Sequence, residues 1–132
     1  MYKYNSHTDP LFKKANLLKI KDIFQVQCLK FFFNHKNNKV PDYFQDTFSF
    51  PTATHRYGTR SRLLYQTSRT NSKASDKTLR NHIPGLLNKT PNSLLDKITT
   101  HSIDSFKNLI KSFYIDKYIS TCEKARCYVC SR

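Results

Sequence analysis

Three cysteines near the end of the sequence have the spacing of a metal site. Cys127 and Cys130 form a Cys-x-x-Cys pair, and four residues separate Cys122 from that pair. Three thiolates at this spacing can surround a tetrahedral ion such as Zn²⁺, which usually takes four ligands. A complete site would recruit His101, Cys28, a partner chain or water. The spacing therefore leaves two alternatives for Cys122, Cys127 and Cys130, a tail of free thiols and a zinc site, and the free thiols are the first of the two.

A second group of residues, from His55 to Arg80, has the chemistry of a nucleic-acid contact. This basic segment contains seven cations, one anion (Asp76) and five of the seven arginines in the chain. Arginine can bind one phosphate with two hydrogen bonds and can stack on bases, and tyrosine rings can also stack. A solvated face without a ligand is the alternative. The predicted nucleic-acid-binding residues are Arg56, Tyr57, Arg60, Arg62, Tyr65, Arg69, Lys73, Lys77 and Arg80.

The charge of the whole chain also favours a polyanionic partner. Lysine and arginine number 23 against 9 acids, which gives a formal net charge of +14. Coulomb attraction and the release of counterions both favour binding to a phosphate backbone. An anionic membrane would satisfy the same charge balance, but no long apolar run and no export signal is evident. We therefore expect RNA or DNA as the partner, no membrane, and an intracellular location, nuclear or cytoplasmic.

Residue types used in catalysis are present, but not in catalytic patterns. Metal-dependent phosphoryl transfer needs carboxylates close together, and the nine acids are mostly isolated. The five histidines are scattered, and two glycines are too few for a glycine-rich phosphate loop. Cys28 lies on an apolar helix face and is expected to be a small buried hydrophobe. The sequence therefore predicts no catalytic residue and no enzymatic activity on this chain.

The elements that would position these groups are mainly helical. Asp9 followed by Pro10 is typical of an N-cap and a proline at the first helical position. Apolar residues then recur at three-and-four spacing, which predicts a short helix and a longer one to about His35. Phe31, Phe32 and Phe33 are consecutive, so their rings cannot all lie on one narrow apolar stripe of a helix. At least one ring must therefore meet another element or be exposed. The expected core positions of the longer helix are Leu17, Leu18, Ile20, Ile23, Phe24, Gln27, Cys28, Phe31 and Phe32.

In the rest of the chain, prolines mark the boundaries of several predicted elements. Pro41 predicts a further helical turn, and residues 59–67 are the best strand candidate in a centre that lacks helical periodicity. Residues 83–91 predict a connector, because each proline disfavours helix just before it. A last helix is capped by Ser102 and runs to about Ile119. The fold class is therefore mainly α, one small helical domain with a central irregular or short β element, with α+β as the alternative. The predicted division of residues 1–132 is 1–50 helical, 51–91 basic loop, 92–120 helical and 121–132 cysteine-containing tail.

Five short motifs occur in a fixed order along the chain, at residues 9–23, 27–33, 37–44, 55–60 (His-x-Tyr-x-Thr-Arg) and 105–114. The first begins Asp9-Pro10-Leu11-Phe12-Lys13-Lys14. In this order the motifs resemble the C-terminal region of the reverse transcriptases of jockey-like non-LTR retrotransposons, in which a segment similar to the first motif follows the polymerase core. The similarity depends on the ordered series, which covers the chain from about Thr8 to its end.

The resemblance implies a parent enzyme that is an RNA-directed DNA polymerase, with its upstream polymerase domain as a partner. The family's aspartate pair belongs upstream of this region, and no Asp-Asp pair occurs in this chain. Leu87 also stands where the family usually has tryptophan. We therefore expect a truncated, non-catalytic fragment that contacts RNA or DNA through its arginine and tyrosine residues. The alternative is a structural docking segment of the polymerase, or an inert remnant.

Overall fold

The computed structural model describes residues 8–48, 65, 71–76 and 78–119. Helices account for 72% of these residues and no strand occurs among them, which confirms a mainly α fold. The predicted strand at 59–67 lies outside the described residues, except for Tyr65. The α-helices are α1 (Asp9–Lys14), α2 (Ile20–Lys36), α3 (Lys73–Asp76), α4 (Leu79–Lys89), α5 (Asn92–Leu95) and α6 (Ile103–Asp116), and the 3₁₀ helices are Asp42–Thr47 and Asp96–Ile98.

The first two helices are separate, as expected, because the chain turns at Asn16. Asn16 has a φ of 53°, a left-handed conformation that asparagine tolerates better than most residues. The N-cap of α1 is Thr8, so the predicted cap, Asp9, is displaced by one position. The carboxylate of Asp9 instead forms an ion pair with Lys19, just before α2. The turn therefore lets α1 fold back beside the start of α2.

The phenylalanines at the centre of α2 meet three different parts of the molecule. Phe33 packs on Phe106 of α6, with ring centroids 5.0 Å apart. Phe31 meets the edge of Phe44 in the first 3₁₀ helix at 5.6 Å. Phe32 is fully buried and contacts Tyr65. Each ring therefore has a partner from another element, which is the first of the two outcomes that the sequence predicted.

The expectation that α2 is buried along its whole length is wrong for its first half. Ile20, the first residue of α2, is 87% exposed, Ile23 and Phe24 are also exposed, and Leu17, just before the helix, is 57% exposed. Six residues of α2, all between Val26 and His35, are buried. They lie in the part of the helix that faces α4, α6 and the first 3₁₀ helix. Periodicity predicted an apolar face, but it could not indicate how far the packing partners extend along that face.

The predicted connector at residues 83–91 is wrong, because α4 runs through most of it with Pro84 inside the helix. A proline in a helix interior removes one backbone hydrogen bond and costs about 3 kcal/mol. Ile83 and Leu87 are almost completely buried, and Pro84 itself is buried. Burial of each large apolar side chain contributes about 1.5–3 kcal/mol, so their combined burial outweighs the cost of the proline.

The last helix agrees with the sequence. The hydroxyl of Ser102 accepts a hydrogen bond from the backbone N–H of Ser105 at 3.3 Å, which caps α6. Phe106 and Ile110 are fully buried and Tyr114 is buried near the end of the helix. The helix ends at Asp116, slightly before the expected Ile119. The core therefore lies between α2, α4 and α6.

Tyr118, just after α6, joins both ends of the described chain. Its hydroxyl donates to the carboxylate of Asp22 and accepts from the backbone N–H of Lys19 at 2.9 Å. Its carbonyl accepts from the Lys13 ammonium at 3.1 Å. Burial, and next the hydrogen bond with Asp22, raise the pKa of Tyr118 to about 12. These contacts define the Tyr118 junction, which fixes α1 and the start of α2 against the end of α6.

Within the described ranges, no helix combines the length and the apolar character that a membrane span requires.

Candidate nucleic-acid interface

Tyr65 is the one residue of the central segment 49–70 that the structure describes, and it is buried. Its ring meets Phe32 of α2 edge to face, with centroids 5.6 Å apart and an interplanar angle of 89°. The residue is 9% exposed. Burial, and to a smaller degree the nearby Asp96 carboxylate, raise the pKa of Tyr65. The packing on Phe32 supports an anchoring role for Tyr65, and its stacking on a base stays a prediction.

The backbone of Tyr65 is held by one side chain of α4. The N–H of Tyr65 donates to Oδ1 of Asn88 at 3.1 Å, and Nδ2 of Asn88 donates to the carbonyl of Tyr65 at 3.0 Å. Both backbone groups of this buried residue are therefore satisfied, as buried polar groups require. The central segment is thus attached to the helical core at Tyr65 by its ring and by its backbone.

Two further predicted contact residues are exposed: Lys73 begins α3 and Arg80 lies in α4, on either side of the turn that joins the two helices. The carbonyl of Ser75 accepts from the hydroxyl of Thr78 at 2.8 Å and from the side-chain amide of Asn81 at 2.9 Å, which fixes the turn. Arg80 lies in the first turn of α4, where the helix dipole disfavours a cation. Its charge therefore does not stabilise the helix and is accessible to an anion.

The remaining predicted residues cannot be placed. The prediction that they bind nucleic acid or metal stays a prediction, because they lie outside the described residues. They are Arg56, Tyr57, Arg60, Arg62, Arg69 and Lys77 for nucleic acid, and Cys122, Cys127 and Cys130 for metal.

The described part of the chain contains no group of three or more histidine, cysteine or acidic side chains placed to hold a metal ion. Cys28, one of the suggested fourth ligands, is buried within the core, and burial raises the pKa of its thiol. A raised pKa disfavours the thiolate form that binds zinc. His101, the other suggested ligand, is exposed and its Nδ1 lies 2.8 Å from the hydroxyl of Thr100. Of these two suggested ligands, His101 is therefore the one whose side chain is accessible.

A cavity of about 550 Å³ opens beside Tyr65. Phe32, Leu95 and Ile98 form its apolar part. The C-cap residue of α2, Asn37, donates from its side chain to the carbonyl of Ile98 at 3.3 Å, so α2 and the second 3₁₀ helix are joined beside it. The cavity is thus bounded by the end of α2, by α5 and by the second 3₁₀ helix.

The polar rim of this cavity includes Lys36, Asn92 and Asp96, none of which the sequence had indicated. In the sequence, Lys36 belongs to a polar stretch that interrupts the apolar pattern. It nevertheless follows Phe32 by four residues and so shares its helix face. The ammonium of Lys36 lies 6.0 Å from the centroid of the Phe32 ring. For Asp96 and Asn92 the sequence carried no signal, because their proximity to α2 depends on tertiary packing.

Comparison of the chain with protein-family models, with curated proteins and with solved structures finds no match in any of the three.

Proposed function

We propose that this chain binds single-stranded RNA or DNA through the basic segment 55–80, as a non-catalytic C-terminal region of a retrotransposon-encoded RNA-directed DNA polymerase. The observation that carries the proposal is the attachment of Tyr65 to Phe32 and Asn88. It gives an arginine-rich segment a fixed point on a helical core, and thereby limits the conformational entropy that ordering the segment on a ligand would cost.

Charge supports the same proposal. Arg62 and Arg69 lie three and four residues from Tyr65 in the sequence. The exposed Lys73, in α3, and Arg80, in α4, follow along the sequence. Cations distributed in this way favour contact with several phosphates of one strand over a single isolated anion.

The assignment to a retrotransposon protein depends on the ordered series of short motifs from Asp9 to Tyr114. The proposed lack of catalysis depends on the lack of any Asp-Asp pair in the sequence. Binding and positioning of nucleic acid, with the chemistry supplied by a polymerase domain, is the role that fits both observations.

The test is binding of the full chain to a labelled single-stranded RNA and DNA, measured by fluorescence anisotropy at several salt concentrations. We expect binding at low salt and a linear loss of log affinity with log salt concentration. Substitution of Arg56, Arg60, Arg62 and Arg69 by alanine should reduce the slope by about 3, since each phosphate contact with a single strand contributes about 0.7.

A matched variant removes the same charge elsewhere. Lys14, Lys21, Lys39 and Lys107 are all exposed and lie outside the basic segment. Their substitution by alanine should leave most of the affinity in place. Absence of binding at low salt, or equal losses in the two quadruple variants, would refute the proposal.

A second candidate function is docking on the polymerase domain, and the exposed apolar face at the start of α2 favours it. This face consists of Leu17, Ile20, Ile23 and Phe24. Apolar side chains clustered in this way are typical of interaction surfaces. The double variant Ile20→Ser and Phe24→Ser should abolish capture by a jockey-like polymerase core produced as a separate chain. Tyr43→Ser, at a 90% exposed residue of the first 3₁₀ helix, is the control.

A further inference from the structure

The cavity beside Tyr65 has the size and the walls of a site for one flat ring. Its volume of about 550 Å³ is within the range of about 300–1,000 Å³ that is usual for small-molecule sites. Phe32 and Ile98 are almost completely buried at the bottom of the cavity, and the half-buried Leu95 contributes an accessible apolar wall. A nucleobase is planar, and it gains from contact with aromatic and aliphatic side chains on its faces.

The rim supplies one anion and one cation. Among the described residues, none forms a hydrogen bond or an ion pair with the carboxylate of Asp96, which is exposed at the rim. Lys36 contributes an ammonium close to the Phe32 ring. A carboxylate repels phosphate but accepts hydrogen bonds from a base edge, whereas an ammonium attracts phosphate. The rim therefore offers one group that can accept hydrogen bonds from a base and one group that can attract a phosphate.

The two oxygens of a carboxylate favour a base with two adjacent donors. Guanine presents N1–H and N2–H side by side on its Watson–Crick edge. Adenine and cytosine each present one amino group beside an acceptor nitrogen, and uracil presents one N–H between two carbonyl acceptors. A carboxylate opposite an acceptor is repelled, so Asp96 selects guanine among the four bases.

We propose that this cavity binds the base of one unpaired guanine nucleotide, with Asp96 accepting hydrogen bonds from the base and Lys36 contacting its phosphate. The inference rests on the proposed nucleic-acid contact and adds a base-reading site to it. Phosphate contacts hold a strand without distinguishing its sequence. A site that binds one guanine would fix which nucleotide of the strand lies at the cavity.

The test is titration of the full chain with GMP, IMP and AMP, followed by NMR or calorimetry. IMP lacks the 2-amino group of GMP and is otherwise matched to it. We expect GMP to bind about tenfold more tightly than IMP, the lower part of the range for a paired contact to a base edge. AMP should bind more weakly than IMP, because it presents an acceptor at N1.

Two pairs of variants distinguish a loss of the binding site from a loss of the fold. Asp96→Asn should abolish the preference for GMP over IMP, and Asp104→Asn, at an exposed acid of α6, should preserve it. Thr99→Trp places a bulky ring at the exposed rim of the cavity and should reduce GMP affinity at least tenfold. Thr100→Trp, at the next and also exposed residue, is outside the cavity lining and should leave the affinity unchanged.

Equal binding of GMP and IMP, or a preference that survives Asp96→Asn, would overturn the guanine site. If single strands still bind in the salt-dependent manner described above, the proposed function stands without it. If single strands do not bind at low salt, the proposed function fails, whatever the result with GMP.

Discussion

The side-chain amide of Asn88 pairs with the backbone of Tyr65, 23 residues earlier in the sequence, through two hydrogen bonds of 3.1 and 3.0 Å. An amide side chain has the same donor and acceptor groups as a peptide unit, so Asn88 takes the place of a neighbouring strand. Near the end of α4, Asn88 thus adds a backbone attachment of the basic segment to the ring contact between Tyr65 and Phe32.

Asn88→Ala should therefore destabilise the protein by about 1–3 kcal/mol, because it leaves two buried backbone groups without partners. Urea unfolding followed by circular dichroism measures this change. The control is Asn108→Ala, an exposed position on α6 with the same change in helix propensity. Equal free energies of unfolding for the two variants would show that the pairing with Tyr65 contributes nothing.

The Tyr118 junction should make stability depend on alkaline pH. The folded-state pKa of Tyr118 is raised to about 12 from an ordinary value of 10, so its stabilising contribution is complete below pH 10. It is lost as the pH rises from 10 through 12, since the unfolded chain releases the proton first. The free energy of unfolding should fall more steeply with pH in the wild type than in Tyr118→Phe. Parallel curves for the two proteins between pH 9 and 12 would contradict this prediction.

Helix α4 gives a matched pair of truncations. Ile83→Ala removes a fully buried side chain and should cost about 2–5 kcal/mol. Leu79→Ala, four residues earlier on the same helix, removes a side chain that is 40% exposed and should cost about 1 kcal/mol or less. Both values come from chemical denaturation. Similar costs would indicate that residues 79–89 are not packed as a helix, as the two prolines in the sequence suggested.

Lys73 and Arg80 should each contribute to strand binding without conferring sequence preference. Lys73→Ala and Arg80→Ala are each expected to lower affinity for all single strands alike and to reduce the salt slope by about 0.7. Lys107→Ala, at an exposed cation of α6, is the control and should not change the slope. A slope that stays constant in both test variants would place the contact elsewhere on the chain.

Much of the helical framework was predictable because its signals are local. The Ser102 cap, the turn after Pro41 and the apolar stripe of α6 each follow from residues within one or two helical turns. These signals identify an element without reference to the rest of the molecule. The same reasoning predicted that at least one of the rings from Phe31 to Phe33 would meet another element or be exposed.

The parts that could not be predicted depend on contacts between distant segments. Burial of Ile83 and Leu87 keeps Pro84 within a helix, although proline disfavours that conformation. The burial of Tyr65 depends on Phe32 and Asn88, which are remote from it in the sequence. Composition indicated a basic segment rich in arginine, but it could not distinguish a tyrosine that faces a ligand from one that anchors the segment.

The junction at Tyr118 has a consequence for the synthesis of the chain. Its hydroxyl and carbonyl contact Asp22, Lys19 and Lys13, which precede it in the sequence by 96, 99 and 105 positions. Contacts between such distant residues raise the contact order of the fold. At translation rates of about 5–20 residues per second, Asp22 is made about 5–20 seconds before Tyr118. During that interval α2 has no α6 to cover Phe33, whose ring packs on Phe106. The nascent protein is therefore expected to be a client of ribosome-associated chaperones until α6 emerges.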